Sequence, residues 1–178
     1  LEEAKINIEK ALAQNPTLFP AKFNLAATES RLGNVDKSNL LVEELLALSP
    51  QHNETLMLKA FNLSKAGNLE EAKQIYLDIL TLTPSNTGAR ERVSSLYQQQ
   101  GDTKNALYHL DLLIKDDFDN ADYLLRKAAL QLEAGQRADA EKKLSMWLSL
   151  IHSRRCQRTT QYSVRCSKIN STKHSDEQ

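Results

Sequence analysis

The densest group of potential metal ligands in the sequence is Asp116-Asp117-Phe118-Asp119-Asn120-Ala121-Asp122. Closely spaced carboxylates of this kind suit a calcium loop, which supplies oxygen ligands from alternate positions, a central glycine for the sharp turn and a closing bidentate glutamate. Here the central glycine is missing and the closing position is Ala128. The stretch therefore reads as a solvated turn followed by a helix N-cap. The histidines His52, His109, His152 and His174 share no helical spacing, so surface or capping roles are expected for them rather than metal ligation. Cys156 and Cys166 match no common zinc spacing and indicate no disulfide framework.

Nucleotide, zinc-protease and serine-hydrolase signatures are absent from the sequence. Carboxylates are plentiful, but no pair is singled out for general acid–base work. Asn53-Glu54-Thr55 and Asn62-Leu63-Ser64 match the N-glycosylation pattern. Both fall on expected helices, which favours chance matches. The expectation is a protein that is not an enzyme and needs no metal or cofactor.

Charge narrows the class of partner. Basic and acidic residues balance at 23 each, which gives no footprint for general nucleic-acid binding. No apolar run approaches the roughly 18 residues of a membrane span. A protein or peptide partner is expected, with no nucleic acid and no direct membrane span.

The elements that must position any site are set by a repeat. Gly33, Gly67, Gly101 and Gly135 lie 34 residues apart, as do Pro16, Pro50 and Pro84. Ala72, Ala106 and Ala140 share one phase with Ala4, and Ser38 fills the gap; "LEEAK" at residues 1–5 recurs at 69–73. Each glycine follows a helical segment, where a left-handed residue ends the helix at no side-chain cost. Asn34, Asn68 and Asp102 follow three of the glycines and are expected to cap the next helix; Asn68-Leu69-Glu70-Glu71 has capping-box spacing. Each proline prevents the second helix of a unit from continuing. Phe118 and His152 stand at the next two proline slots, leaving those turns less determined. The second helices carry stripes spaced i, i+4, i+7, i+8: Ala4/Ile8/Ala11/Leu12, Ser38/Val42/Leu45/Leu46, Ala72/Tyr76/Ile79/Leu80, Ala106/Leu110/Leu113/Ile114 and Ala140/Leu144/Trp147/Leu148. The first helices keep a small residue at one phase: Ala26, Ala60, Ser94 and Ala128. Such helix pairs bury their apolar faces only by stacking on neighbours.

This 34-residue helix–turn–helix phasing resembles the tetratricopeptide repeat (TPR) family over residues 1–152. The resemblance implies an all-α fold, a right-handed TPR solenoid of antiparallel helix pairs. Residues 1–18 are the second helix of a partial repeat, and repeats run 19–52, 53–86, 87–120 and 121–152. The chain begins halfway through a unit, and Met146–Ile151 read as a face awaiting a neighbour, so a fragment of a longer array is expected. Self-association through the open array ends is expected to follow from that.

Composition then breaks. Residues 153–178 hold six basic and two acidic residues, net +4, leaving 17 against 21, net −4, in 1–152. That stretch is expected to be disordered. It is either a basic tail for an acidic partner or membrane surface, or a segment foreign to the array.

The family resemblance also implies a site. First helices of successive units line a concave groove that holds a peptide or partner helix. Carried over residue by residue, the groove positions are Phe23, Asn24 and Ala27; Met57, Leu58 and Phe61; Glu91, Arg92 and Ser95; and Leu125, Arg126 and Ala129. Met57 and Phe61, one turn apart, form either a pocket in the groove or core beneath the second helix. Arg92 and Arg126 share a phase; they either meet an acidic partner or pair within the stack with Glu91 or Glu133. The carboxylate-clamp pattern of one TPR subclass is not met, because Phe23, Ala27 and Leu58 stand at its positions. The implied function is a non-catalytic interaction scaffold. Alternatives are a regulatory or substrate-holding arm of a larger enzyme, and a periplasmic lipoprotein of an exopolysaccharide or export system. The "xAxNP" ending at Ala13–Pro16 resembles bacterial TPR proteins of that last kind, in cytoplasm or periplasm with a lean to the cell envelope.

Overall fold

The computed structural model describes residues 1–138 together with 141, 142 and 145. Its elements are α1 (Glu2–Gln14), α2 (Phe19–Leu32), α3 (Val35–Leu48), α4 (Asn53–Lys65), α5 (Leu69–Leu82), α6 (Thr87–Gln99), α7 (Thr103–Asp116) and α8 (Ala121–Glu133). Among the described residues there is no strand. The chain divides into two compact units, Leu1–Leu113 and Ile114–Gln178.

In the first unit the helices follow the 34-residue spacing. The pairs α2/α3 and α4/α5 pack as hairpins, α1 packs on α2, α3 on α4, and α5 on α6. The turn glycines explain the hairpins. Gly33, Gly67 and Gly101 adopt φ of 90°, 88° and 75°, the left-handed region that costs an L-residue about 1–2 kcal/mol. The following N–H groups of Asn34, Asn68 and Asp102 donate back to the carbonyls of Glu29, Leu63 and Tyr97, each at 2.9 Å. These bonds satisfy carbonyls that the helix end leaves without partners.

The prolines act on the residue before them. Asn15, Ser49 and Thr83 precede Pro16, Pro50 and Pro84 and are extended, with φ of −139°, −142° and −133°. That is the conformation the proline ring imposes on its predecessor. Helix α7 ends at Asp116, in phase with Leu48 of α3 and Leu82 of α5, although Phe118 replaces the proline.

Capping departs from expectation. The side chains of Asn34 and Asn68 make no cap hydrogen bond. The Asn34 amide instead donates to the buried Glu29 carboxylate at 2.7 Å. Asp102 does cap, accepting from Asn105 N–H at 3.0 Å. That bond holds its carboxyl below the usual carboxylate range. The first helices have side-chain caps of their own at a shared phase. In the first unit, His52 Nδ1 accepts from Thr55 N–H at 3.3 Å and Asn86 Oδ1 from Ala89 N–H at 2.9 Å.

The core runs along the second helices. Ser38, Val42 and Leu45, then Ala72, Tyr76 and Ile79, then Ala106, Leu110 and Leu113 are all buried. The small residues Ala26, Ala60 and Ser94 are fully buried too, and Ser94 Oγ donates to the Ala106 carbonyl at 3.0 Å, tying α6 to α7. The α1 stripe differs, for none of its residues is buried. One charged pair joins α1 to α2: Lys5 Nζ lies 2.9 Å from Glu29, whose side chain is 5% exposed.

A polar seam interrupts the apolar core between α2, α3 and α4. Asn62 is fully buried and accepts from Ser30 Oγ at 2.6 Å. Its amide donates to Ser38 Oγ and Asn39 Oδ1, each at 2.8 Å. Burial also removes Asn62 from any glycosylation in the folded chain. The next junction carries Ala72 and Leu96 at the phases of Ser38 and Asn62, and both are buried.

His109 corrects another expectation. It is buried rather than on the surface, and its ring stacks on Tyr97 at 5.7 Å. Its Nδ1 has no hydrogen-bond partner, and burial pushes its pKa down.

In the second unit, Asn120 caps α8, accepting from Asp122 N–H at 3.1 Å and Tyr123 N–H at 3.4 Å. Its amide donates to Asp117 at 2.9 Å, which closes the turn that lacks a proline. Gly135 takes φ 75° after α8. Ala128 and Leu130 are buried, with Lys127 and Gln131 beside them. Ala140, the Met146–Ile151 face, both cysteines, His152, His174 and the basic stretch 153–178 lie outside the described residues.

Candidate partner groove

The first helices α2, α4 and α6 of the first unit flank an open groove of about 500 Å³. Seven of the expected positions line it: Phe23, Asn24 and Ala27 from α2, Met57, Leu58 and Phe61 from α4, and Arg92 from α6. The helical repeat explains the set. Positions 23, 24 and 27, and again 57, 58 and 61, fall on one face at i, i+1, i+4. Met57 and Phe61 are half-buried and lie on the groove wall. The buried Tyr76 of α5 reaches the groove from beneath, its hydroxyl donating to the Met57 carbonyl at 3.4 Å. Burial pushes the Tyr76 phenol up to about 12, so it stays neutral.

Phe61 is the centre of the charged rim. Arg92 lies 5.3 Å from its ring centroid and Lys65 lies 5.1 Å away. A cation held over an aromatic face is attracted by the ring quadrupole, and its stem is ordered by the contact. Lys65 is anchored further, donating to the Ser30 carbonyl at 2.8 Å. Arg92 makes no ion pair with Glu91 or with any other described residue. Arg31, at the far end of α2, makes no ion pair or hydrogen bond among the described residues either. These two arginines are the basic side chains among the lining residues, and no carboxylate lines the groove.

The remaining expected positions fall elsewhere. Glu91 and Ser95 lie on α6 but do not line the groove; Ser95 Oγ donates to the Glu91 carbonyl at 3.0 Å instead. Leu125, Arg126 and Ala129 lie on α8, in the second unit, with Leu125 53% exposed.

Sequence reasoning missed several contributors, Thr28, Ser30 and Tyr76 among them. Arg31 lies four residues beyond Ala27 on the same helical face, so extending the family positions by one turn finds it. Ile8 joins from α1. His52 caps α4 and also packs edge-on to Phe23 at 6.0 Å and to Phe19 at 4.8 Å, which positions the Phe23 ring. Gly88 leaves the room that Met57 occupies, since a Cβ there would lie 3.2 Å from Met57 Cε.

Among the described residues no group of three His, Cys, Asp or Glu side chains could hold a metal ion. No described helix is long and apolar enough to cross a membrane.

No protein-family profile and no curated protein matches the chain. Solved structures do. MamA from Desulfovibrio magneticus is 14% identical, with a TM-score of 0.71 over 85% of this chain and 86% of that one. PilF from Pseudomonas aeruginosa is 19% identical, with a TM-score of 0.70 over 83% of this chain and 68% of that one. A tetratricopeptide repeat protein from Parabacteroides merdae is 22% identical, with a TM-score of 0.66 over 83% of this chain and 58% of that one. At such identities the likeness is one of fold, and the fold of this chain is that of a tetratricopeptide-repeat solenoid.

Proposed function

We propose that the chain is a non-catalytic protein-interaction scaffold that binds a peptide or partner helix in the groove between α2, α4 and α6. The observation that carries this reading is the groove's composition. A half-buried apolar floor of Phe23, Met57, Leu58 and Phe61 lies beside two arginines that make no ion pair among the described residues. An apolar anchor fills such a floor, and polar rims fix its orientation. The volume of about 500 Å³ suits a short segment rather than a whole domain. The resemblance to tetratricopeptide-repeat folds supports the same reading by analogy.

The test is Phe61→Glu. Affinity capture with the parent chain identifies partners, and titration calorimetry measures them. The variant is expected to keep its helical circular dichroism and to lose at least about tenfold in partner affinity, the scale of a central anchor. A variant that kept both its helicity and its full affinity would remove the groove from the binding surface.

A further inference from the structure

The chain itself carries a segment with the chemistry this groove would take. The groove offers an apolar floor, a rim of Arg31 and Arg92, and no carboxylate. Its complement is an aromatic or aliphatic side chain set among carboxylates. One stretch of the chain sets an aromatic residue among four carboxylates, Asp116-Asp117-Phe118-Asp119-Asn120-Ala121-Asp122. Phe118 stands at the phase held by proline in the other turns, and it is 56% exposed. Asp116, Asp117, Asp119 and Asp122 are all exposed as well. The α7–α8 turn is braced by the Asn120–Asp117 hydrogen bond of 2.9 Å. Presenting Phe118 therefore does not require ordering a loose loop, which would subtract from affinity.

We propose that the Asp116–Asp122 turn of one copy docks in the groove of a second copy, with Phe118 on the apolar floor and its aspartates facing Arg31 and Arg92. Guanidinium–carboxylate pairs give such a contact register as well as attraction. Charge supports this occupant over the other distinctive segment of the chain. The stretch 153–178 is net +4, the wrong sign for a groove whose rim is basic. Groove and turn are different surfaces and each copy carries both, so copies associate either reciprocally as a dimer or head to tail into larger species. The proposal rests on the groove being a binding site, as argued above.

Sedimentation velocity of the full chain over a concentration series tests it, with Arg92→Glu as the groove variant and Phe118→Ala as the turn variant. The parent is expected to self-associate as its concentration is raised, more weakly as salt is raised. Each single variant is expected to weaken association by about tenfold or more. An equimolar mixture of the two is expected to form one-to-one complexes that grow no further, because one variant supplies an intact turn and the other an intact groove. A monomeric parent, or variants that associate as the parent does, or a mixture that stays monomeric, would overturn the proposal. The two readings separate cleanly. If Phe61→Glu loses a captured partner while the parent is monomeric, the groove stands and self-docking falls. If Phe61→Glu loses neither partner nor self-association, both fall.

Discussion

Along α3, α5 and α7 the core-facing positions repeat in kind: Ser38, Ala72, Ala106, then Val42, Tyr76, Leu110, then Leu45, Ile79, Leu113. Along α2, α4 and α6 the positions at the phases of Phe23, Asn24 and Ala27 do not. Phe23, Met57 and Glu91 share one phase, Asn24, Leu58 and Arg92 the next, and Ala27, Phe61 and Ser95 a third. The two regions are built on the same period, one layer apart. Where each helix must pack on its neighbour, size and apolarity are constrained at every turn of the array. Where the helices face the groove, the half-buried positions pack less tightly and vary in chemistry from unit to unit. The polar seam at Asn62 interrupts that layer with matched donors and acceptors, whereas the buried His109 Nδ1 is left without a partner.

The largest test of this contrast removes core volume. Tyr76→Ala deletes a side chain that is 1% exposed and is expected to cost about 3–5 kcal/mol in denaturant unfolding. A cost no greater than that of a surface substitution would mean the layer is not packed as described.

The seam is next. Asn62→Ala leaves the Ser30 and Ser38 hydroxyls buried without their partner and is expected to cost about 1–3 kcal/mol. The triple change Ser30→Ala, Ser38→Ala, Asn62→Leu removes the seam, with positions 38 and 62 then matching Ala72 and Leu96 of the following junction. It is expected to recover most of that loss, because replacing all partners by apolar groups is nearly neutral. If the triple variant were less stable than Asn62→Ala, the seam would be a net source of stability rather than a matched exception.

A smaller effect separates charge from packing. Glu29 is held below the usual carboxylate range by Lys5 and then Asn34, and Lys5 is raised above its ordinary value by the same bond. A depressed carboxylate contributes stability above its unfolded value, here about 4.5, and loses it as pH falls through the lower folded value. A raised lysine contributes below 10.5 and loses it as pH climbs through the higher folded value. Lys5→Met is therefore expected to lower stability at neutral pH and to flatten the acid limb of the pH–stability profile. An unchanged acid limb would show that the pair carries none of it.

Much of this organisation can be read from the chain before any coordinates. The glycine and proline phases locate every hairpin and helix end of the first unit, because a left-handed C′ residue and a restricted pre-proline residue are local requirements. The groove positions Phe23, Met57, Phe61 and Arg92 are reachable because helical phase decides which way they face. What escapes the sequence depends on contacts between helices. Asn34 gives up capping because the buried Glu29 needs a donor. His109 is buried at the phase of Leu41 and Ile75, which a count of charges and rings does not weigh. His52 caps one helix and packs on another, so neither helix alone announces its role. Arg31 was missed because the carried-over positions stop one turn short of it.

The most direct measurement places a photo-crosslinking residue at Leu58, in the groove, and in a second protein at Leu40 of α3, which is 69% exposed and outside it. Irradiation of each with the captured partner should give a covalent product from position 58 and none from position 40. Crosslinking from position 40 with none from position 58 would contradict the groove as the binding surface.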